Sequence, residues 1–118
     1  MAQMPMVQTD IVETGTVIIP SDIYTSARAD IKKKDGIVTL AFTGNISTSA
    51  TVAGSNATLM TLPVGFRPST AQYAYCYGRY RDNEGMYSIS INTDGTIKTA
   101  TGGGTYTGYV TVQLSFFL

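Results

Sequence analysis

Histidine is absent from this chain of 118 residues, and cysteine occurs once, at Cys76. Without histidine, neither a Ser-His-Asp nor a Cys-His nucleophile can be assembled. A single cysteine forms no internal disulfide, and without histidine it cannot close a tetrahedral zinc site. Charge is scarce too: 14% of residues carry it, eight basic against eight acidic. A neutral, lightly charged surface lacks the electrostatic footprint of a nucleic-acid or anionic-membrane binder. The one basic run, Lys32-Lys33-Lys34, is followed at once by Asp35-Gly36 and reads as a solvated hairpin end. No apolar stretch approaches the ~20 residues needed to span a bilayer. Met1 to Asp10 lack the charged head and apolar body of a signal peptide. These absences imply a soluble protein made in a cytoplasm, with no cofactor, no metal, no membrane insertion and no nucleic-acid partner.

What is present is β-forming. Arg28 to Lys34, the turn Asp35-Gly36, and Ile37 to Thr43 form a hairpin signal, because Asp-Gly accepts the positive φ of a tight turn. Val38, Leu40 and Phe42 fall on one face, with Ile37, Thr39 and Ala41 on the other. The polar stretch from Gly44 to Asn56 reads as a long loop with a weak strand near Ser47 to Val52. Leu59 to Leu62 leads into Pro63-Val64-Gly65-Phe66-Arg67-Pro68, a rigid corner in which Phe66 plugs the core and Arg67 points out. Further strands are expected at Ala71 to Tyr80, Met86 to Asn92, Thr96 to Thr101 and Tyr106 to Phe117. Arg81 to Gly85 and Thr93-Asp94-Gly95 form turns between them, and Gly102-Gly103-Gly104 a flexible connection. Seven or eight short strands punctuated by turns predict an all-β, antiparallel β-sandwich, most simply a jelly roll. One domain over 1–118 is expected, residues 1–15 being an extended lead-in that packs on a neighbouring subunit.

The order of these features resembles a known family. "IKKKDGIVTLAFTGNIS" is a lysine-bearing strand turning into an apolar one, and "TSATVAGSNAT" a Ser/Thr/Gly loop. "TLPVGFRPS" is the corner, "SISINTDGTIKTA" a strand–turn–strand, and "VTVQLSFFL" a closing apolar strand. From Ile31 onward the chain is similar to the C-terminal head domains of siphophage tail-fibre and baseplate proteins from phages of Gram-positive bacteria. Such heads usually end a long fibre, whereas only residues 1–30 precede the match. Both a small stand-alone virion protein and a shortened one fit that spacing. The resemblance implies a homotrimer in the virion, adsorption through host cell-wall saccharide and contacts with other virion proteins, while the sparse chemistry of the residues points away from an enzyme. The apolar ends Met4 to Val7 and Phe116 to Leu118 fit an oligomer. The alternative is a structural virion part, a fibre tip, collar or capsid decoration, with no saccharide-binding role.

Candidate chemistry is sparse. Cys76, between Tyr75 and Tyr77, reads as a small buried core residue rather than a nucleophile. Asp82-Asn83-Glu84 and Asn92-Thr93-Asp94 are the candidate calcium ligands, and both read first as turns. Asp82 and Glu84 as a glycosidase pair is the weaker reading. Asn45-Ile46-Ser47 and Asn56-Ala57-Thr58 match the N-glycosylation pattern, which matters only in a secretory pathway. The triple glycine lacks the lysine and helix of a phosphate loop.

Binding is better supported. Tyr73, Tyr75 and Tyr77 share a strand face, for which filling a sandwich core or a subunit interface is the preferred reading. Arg79, Tyr80, Arg81, Asp82 and Asn83 are the expected saccharide site, because an aromatic ring, guanidinium groups and a carboxylate converge in one turn. Tyr80 is the stacking platform there, with Arg81 and Asp82 as hydroxyl partners. The polar segment from Gly44 to Asn56 is the fallback site.

Overall fold

The computed structural model describes residues 11–118, so the apolar segment Met4 to Val7 and most of the expected lead-in lie outside the described residues. Those residues form seven strands: β1 (Glu13–Thr14), β2 (Tyr24–Lys34), β3 (Ile37–Ile46), β4 (Val52–Thr61), β5 (Gln72–Tyr80), β6 (Asn83–Ile91) and β7 (Thr96–Phe117). Every pairing is antiparallel, in the order β1-β2-β3-β7-β5-β6, with β4 and β6 also joined to β7. The all-β antiparallel sandwich expected from the sequence is what forms.

β7 holds the two layers together. Its second half pairs with β3 and β5, from Asn45↔Tyr109 to Ile37↔Phe117 and from Tyr80↔Tyr106 to Cys76↔Val112. Its first half pairs with β4 and β6. The triple glycine therefore lies inside one 22-residue strand instead of linking two. Gly102 (φ 142°) and Gly104 (φ 107°) supply the backbone conformations that let the strand bend from one layer into the other. Neighbours hold the bend: the Arg81 amide donates to the Thr105 carbonyl (3.1 Å), and the Tyr80 hydroxyl to the Gly103 carbonyl.

The expected loop from Gly44 to Asn56 is strand at both ends, and the weak strand expected near Ser47 to Val52 is instead mostly the connection between them. Gly44, Asn45 and Ile46 finish β3, and β4 begins at Val52. Val52 and Gly54 point inward there, and a Cβ on Gly54 would lie 2.3 Å from the Gly102 carbonyl oxygen and 2.6 Å from the Tyr80 ring. Small residues are needed where two backbones and a ring meet, and that need makes the strand read as a loop. Register shifts between Ala53 and Met60 and a positive φ at Asn56 (61°) mark bulges.

One cluster forms the core, drawing Leu40 and Phe42 from β3, Leu59 from β4, Cys76 from β5, Ile89 and Ile91 from β6, and Ile97, Val110 and Val112 from β7. Each large side chain fully removed from water contributes about 1.5–3 kcal/mol. Across the layers, Tyr24 donates its hydroxyl to the Leu59 carbonyl (2.9 Å). The alternation of β3 falls as expected, with Val38, Leu40 and Phe42 buried, and on β7 Val110, Val112 and Phe116 are buried with Leu114 partly so.

The proline corner plugs one end, and Phe66 is buried as expected. Arg67 folds back instead of pointing out, its Nε donating to the Leu62 carbonyl (2.9 Å). The lysine run is not merely solvated. Lys33 reaches the Gly65 carbonyl (2.7 Å) and Glu13 (3.0 Å), with its ammonium 4.9 Å from the centre of the Phe66 ring. Nearby, Glu13–Thr14 pair with Lys33–Lys32 of the same chain, and Ile18 bridges to Thr61 at the end of β4. This short segment thus laces the edge of β2 to β4.

Candidate functional site

The β5–β6 hairpin turns on two residues, Arg81 (φ 50°) and Asp82 (φ 64°), with Tyr80 paired to Asn83. That is shorter than the expected turn from Arg81 to Gly85, because Asn83, Glu84 and Gly85 already pair with Tyr80, Arg79 and Gly78. The Asn83 side chain donates to the Arg81 carbonyl (3.0 Å), and Tyr87 donates to the Asn83 carbonyl (2.7 Å). Arg79 lies 3.8 Å from Asp82, both exposed, a loose pair contributing little to stability. Tyr109 donates to Glu84, and that bond holds the phenol's pKa above its ordinary value.

Of the expected saccharide residues, Arg79, Arg81, Asp82 and Asn83 are exposed around the hairpin tip. Tyr80 is not. It is 8% exposed, with its ring 5.0 Å from those of Tyr87 and Tyr106 and its hydroxyl on the bend of β7. It cannot serve as the stacking platform, since strand alternation turns it inward beside Cys76 and Gly78.

The same alternation turns Tyr73, Tyr75 and Tyr77 outward, at 80%, 60% and 43% exposure. Filling the core is therefore not their role. Tyr73 opens a site that the sequence reading missed. It stands opposite Ser90 on β6, which stands opposite Lys98 on β7, which in turn stands opposite Thr58 on β4. Beside this row lies a cleft of about 630 Å³, walled by Tyr73, Ser90, Lys98 and Asn56 and closed by the Asn92–Thr96 turn. Within that turn, the Thr96 amide and hydroxyl both donate to Asp94 Oδ1 (3.0 and 2.7 Å). Those bonds depress the Asp94 pKa, hydroxyl first and amide second, and leave Oδ2 for another donor. Asn92 donates to the Ser90 hydroxyl (3.1 Å) and the Thr96 carbonyl (3.0 Å). One aromatic face, one carboxylate, one ammonium and several hydroxyls thus meet in an open cleft of balanced charge. The signal for it was the turn: placing it at Arg81-Asp82 puts Tyr73 opposite Ser90 at once.

Cys76 is buried, and burial pushes its thiol pKa up, away from nucleophilic use. Asp82 and Glu84 are engaged separately, by Arg79 and Tyr109. Among the described residues, no three His, Cys, Asp or Glu side chains cluster to hold a metal.

No protein-family model and no curated protein matches the chain. In three dimensions it is similar to the head domain of phage bIL170, a crystal structure described among the receptor-binding domains of lactococcal phages. The TM-score is 0.65 at 13% sequence identity, over 92% of this chain and 99% of that one. The resemblance read from the sequence holds at the level of the fold.

Proposed function

We propose that this chain is the head domain of a phage virion protein that adsorbs to host cells by binding surface saccharide. Its fold resembles that of a receptor-binding head domain, which supports the adsorption role. The observation that carries the saccharide reading is the Tyr73 cleft, with its open, charge-balanced and hydroxyl-rich walls. A sugar presents C–H groups on its ring faces and hydroxyls at its edges. Tyr73 offers a ring to the former, while Asp94, Asn92, Lys98 and Ser90 offer acceptors and donors to the latter.

A homotrimer would present three such sites. One shallow site binds weakly, because replacing water around a polar ligand gains little, and linked sites raise the effective affinity. The exposed apolar end formed by Ile37, Phe117 and Leu118 supports contact with further copies or with other virion proteins. That same end favours the second reading, a structural virion part.

The two readings separate in one measurement, the binding of intact protein to a panel of purified Gram-positive cell-wall polysaccharides. The adsorption reading expects a saturable, polysaccharide-specific response that Tyr73→Ala removes without changing the protein's mass in solution. No response to any polysaccharide leaves the structural reading.

A further inference from the structure

We infer that the saccharide face is a track rather than a single pocket, on which a linear, predominantly uncharged polysaccharide lies lengthwise along β5. The chain would run from the Tyr73 cleft over Tyr75 and Tyr77 to Arg79 and Asp82 at the hairpin. This rests on the saccharide reading above and adds the shape of the ligand and the extent of its contact.

Four observations carry it. First, Tyr73, Tyr75 and Tyr77 alternate on one side of one strand, so the strand rise sets their rings about 6.7 Å apart. Together they span about 13 Å, the length of roughly three linked pyranose rings. Secondly, all three are exposed although none is needed to fill the core, and a row of solvent-facing aromatic rings marks a binding surface. Thirdly, polar groups flank most of the row, with the exposed Met86 opposite Tyr77 on β6 as the apolar exception. Ser90 and Ser88 stand opposite Tyr73 and Tyr75 on β6, and Thr111 stands opposite Tyr77 on β7. The Tyr109 ring, fixed through its hydroxyl by Glu84, lies 6.2 Å from that of Tyr77 and widens the platform. Fourthly, each end holds a cation and a carboxylate, Lys98 and Asp94 among the walls of the cleft and Arg79 3.8 Å from Asp82 at the tip. Balanced ends suit hydroxyls and disfavour a polyanion. The hairpin residues expected from the sequence thus become the far end of the track, with Tyr73, Tyr75 and Tyr77 in the stacking role.

The test uses intact protein and the panel polysaccharide that binds it, partially hydrolysed and fractionated from one to about six sugar units. Calorimetry measures each fragment against wild type, Tyr75→Ala, Tyr77→Ala and Tyr75→Phe, while light scattering follows the mass. The track expects affinity to climb with length up to about four units and then level. It also expects Tyr75→Ala and Tyr77→Ala to weaken the longer fragments roughly three- to tenfold each, the worth of one aromatic contact. Fragments of one or two units should be unaffected, and Tyr75→Phe should keep most of the affinity. Length-independent binding with both alanine variants at wild-type strength overturns the track and leaves the Tyr73 cleft as the saccharide site. A lower mass in Tyr75→Ala or Tyr77→Ala makes the face a contact between copies and overturns it too. Binding of no polysaccharide removes the saccharide reading itself, and the track with it.

Discussion

At the scale of single residues, polar groups inside this protein are placed to repair irregular backbone. Among the described residues, Thr99 is the buried polar residue of the core. Its hydroxyl donates to the Ala53 carbonyl (2.8 Å) and accepts from the Ala57 amide (3.0 Å), spanning the bulged part of β4. Ala57 falls in the gap between the Ser55↔Ala100 and Thr58↔Lys98 pairs, and Ala53 borders the first shift, so Thr99 bridges the irregular stretch. Thr99→Val keeps the volume but leaves both groups unsatisfied. It should cost about 1–3 kcal/mol, read as a lower urea midpoint at an unchanged slope. A midpoint equal to wild type would mean that water or a shifted β4 takes over. Tyr80 also belongs at this scale. The charged turn that follows it gives it the look of a binding residue, yet its position in the alternation puts it on the face of Cys76. Cys76 inside and Tyr80 outside are incompatible within one regular strand, and alternation decides against the ring.

At the scale of elements, glycine does the work that the sequence makes look like looseness. Gly54 and Gly102 let β4, the bend of β7 and the Tyr80 ring meet. Gly54→Ala drives a Cβ against a carbonyl oxygen and an aromatic ring, and neither can retreat without opening the bend. Overpacking of this kind costs about 1–3 kcal/mol, occasionally more. Gly103, beside Gly102 in the same bend, has no neighbouring atom within 4 Å of the place a Cβ would take and serves as the control. Thermal melts should show Gly54→Ala well below wild type and Gly103→Ala close to it. Equal melting temperatures for the two variants would contradict the close approach. Two of the hairpin turns are readable in advance because they are chemically marked: Asp35-Gly36 and Asp94-Gly95 contain the positive φ that tight turns need. Arg81-Asp82 adopts the two positive φ angles of Asp35-Gly36 without glycine, so the sequence reading spreads that turn too broadly and misses the cross-strand partner of Tyr73.

At the scale of the whole molecule, the surface divides by chemistry. Aromatic and polar groups of balanced charge, with the exposed Met86 among them, share the outer face of β5, β6 and the first half of β7, whereas Ile37, 72%-exposed Phe117 and Leu118 gather at another end. An apolar end of this kind suits protein contact, and the tyrosine face is the one proposed for saccharide. The proposed homotrimer would bury more than the ~1,000 Å² expected of a specific association. Light scattering in dilute solution should give three times the chain mass for wild type. Phe117→Asp, which sets a charge in the apolar patch, should lower that mass, and Tyr73→Ala should not. A wild-type monomer at micromolar concentration would remove the trimer, while the saccharide reading would stand on its own test.

Composition and alternation by themselves determined the class of this protein. Two-residue periodicity over β3, β5 and the end of β7, broken by marked turns, permits an antiparallel sandwich because only a sheet buries every second side chain. Missing histidine likewise excludes Ser-His-Asp and Cys-His arrangements within one chain, and with a single cysteine it leaves no cysteine–histidine zinc set there. Tertiary structure alone decided that Thr96 to Phe117 is one strand, since glycine permits a bend and a break equally and only the partners β3, β4, β5 and β6 choose between them. It also decided the site. The Tyr73 cleft draws on β4, β5, β6 and β7, residues far apart in the chain, and their meeting depends on register and layer packing that local sequence does not encode.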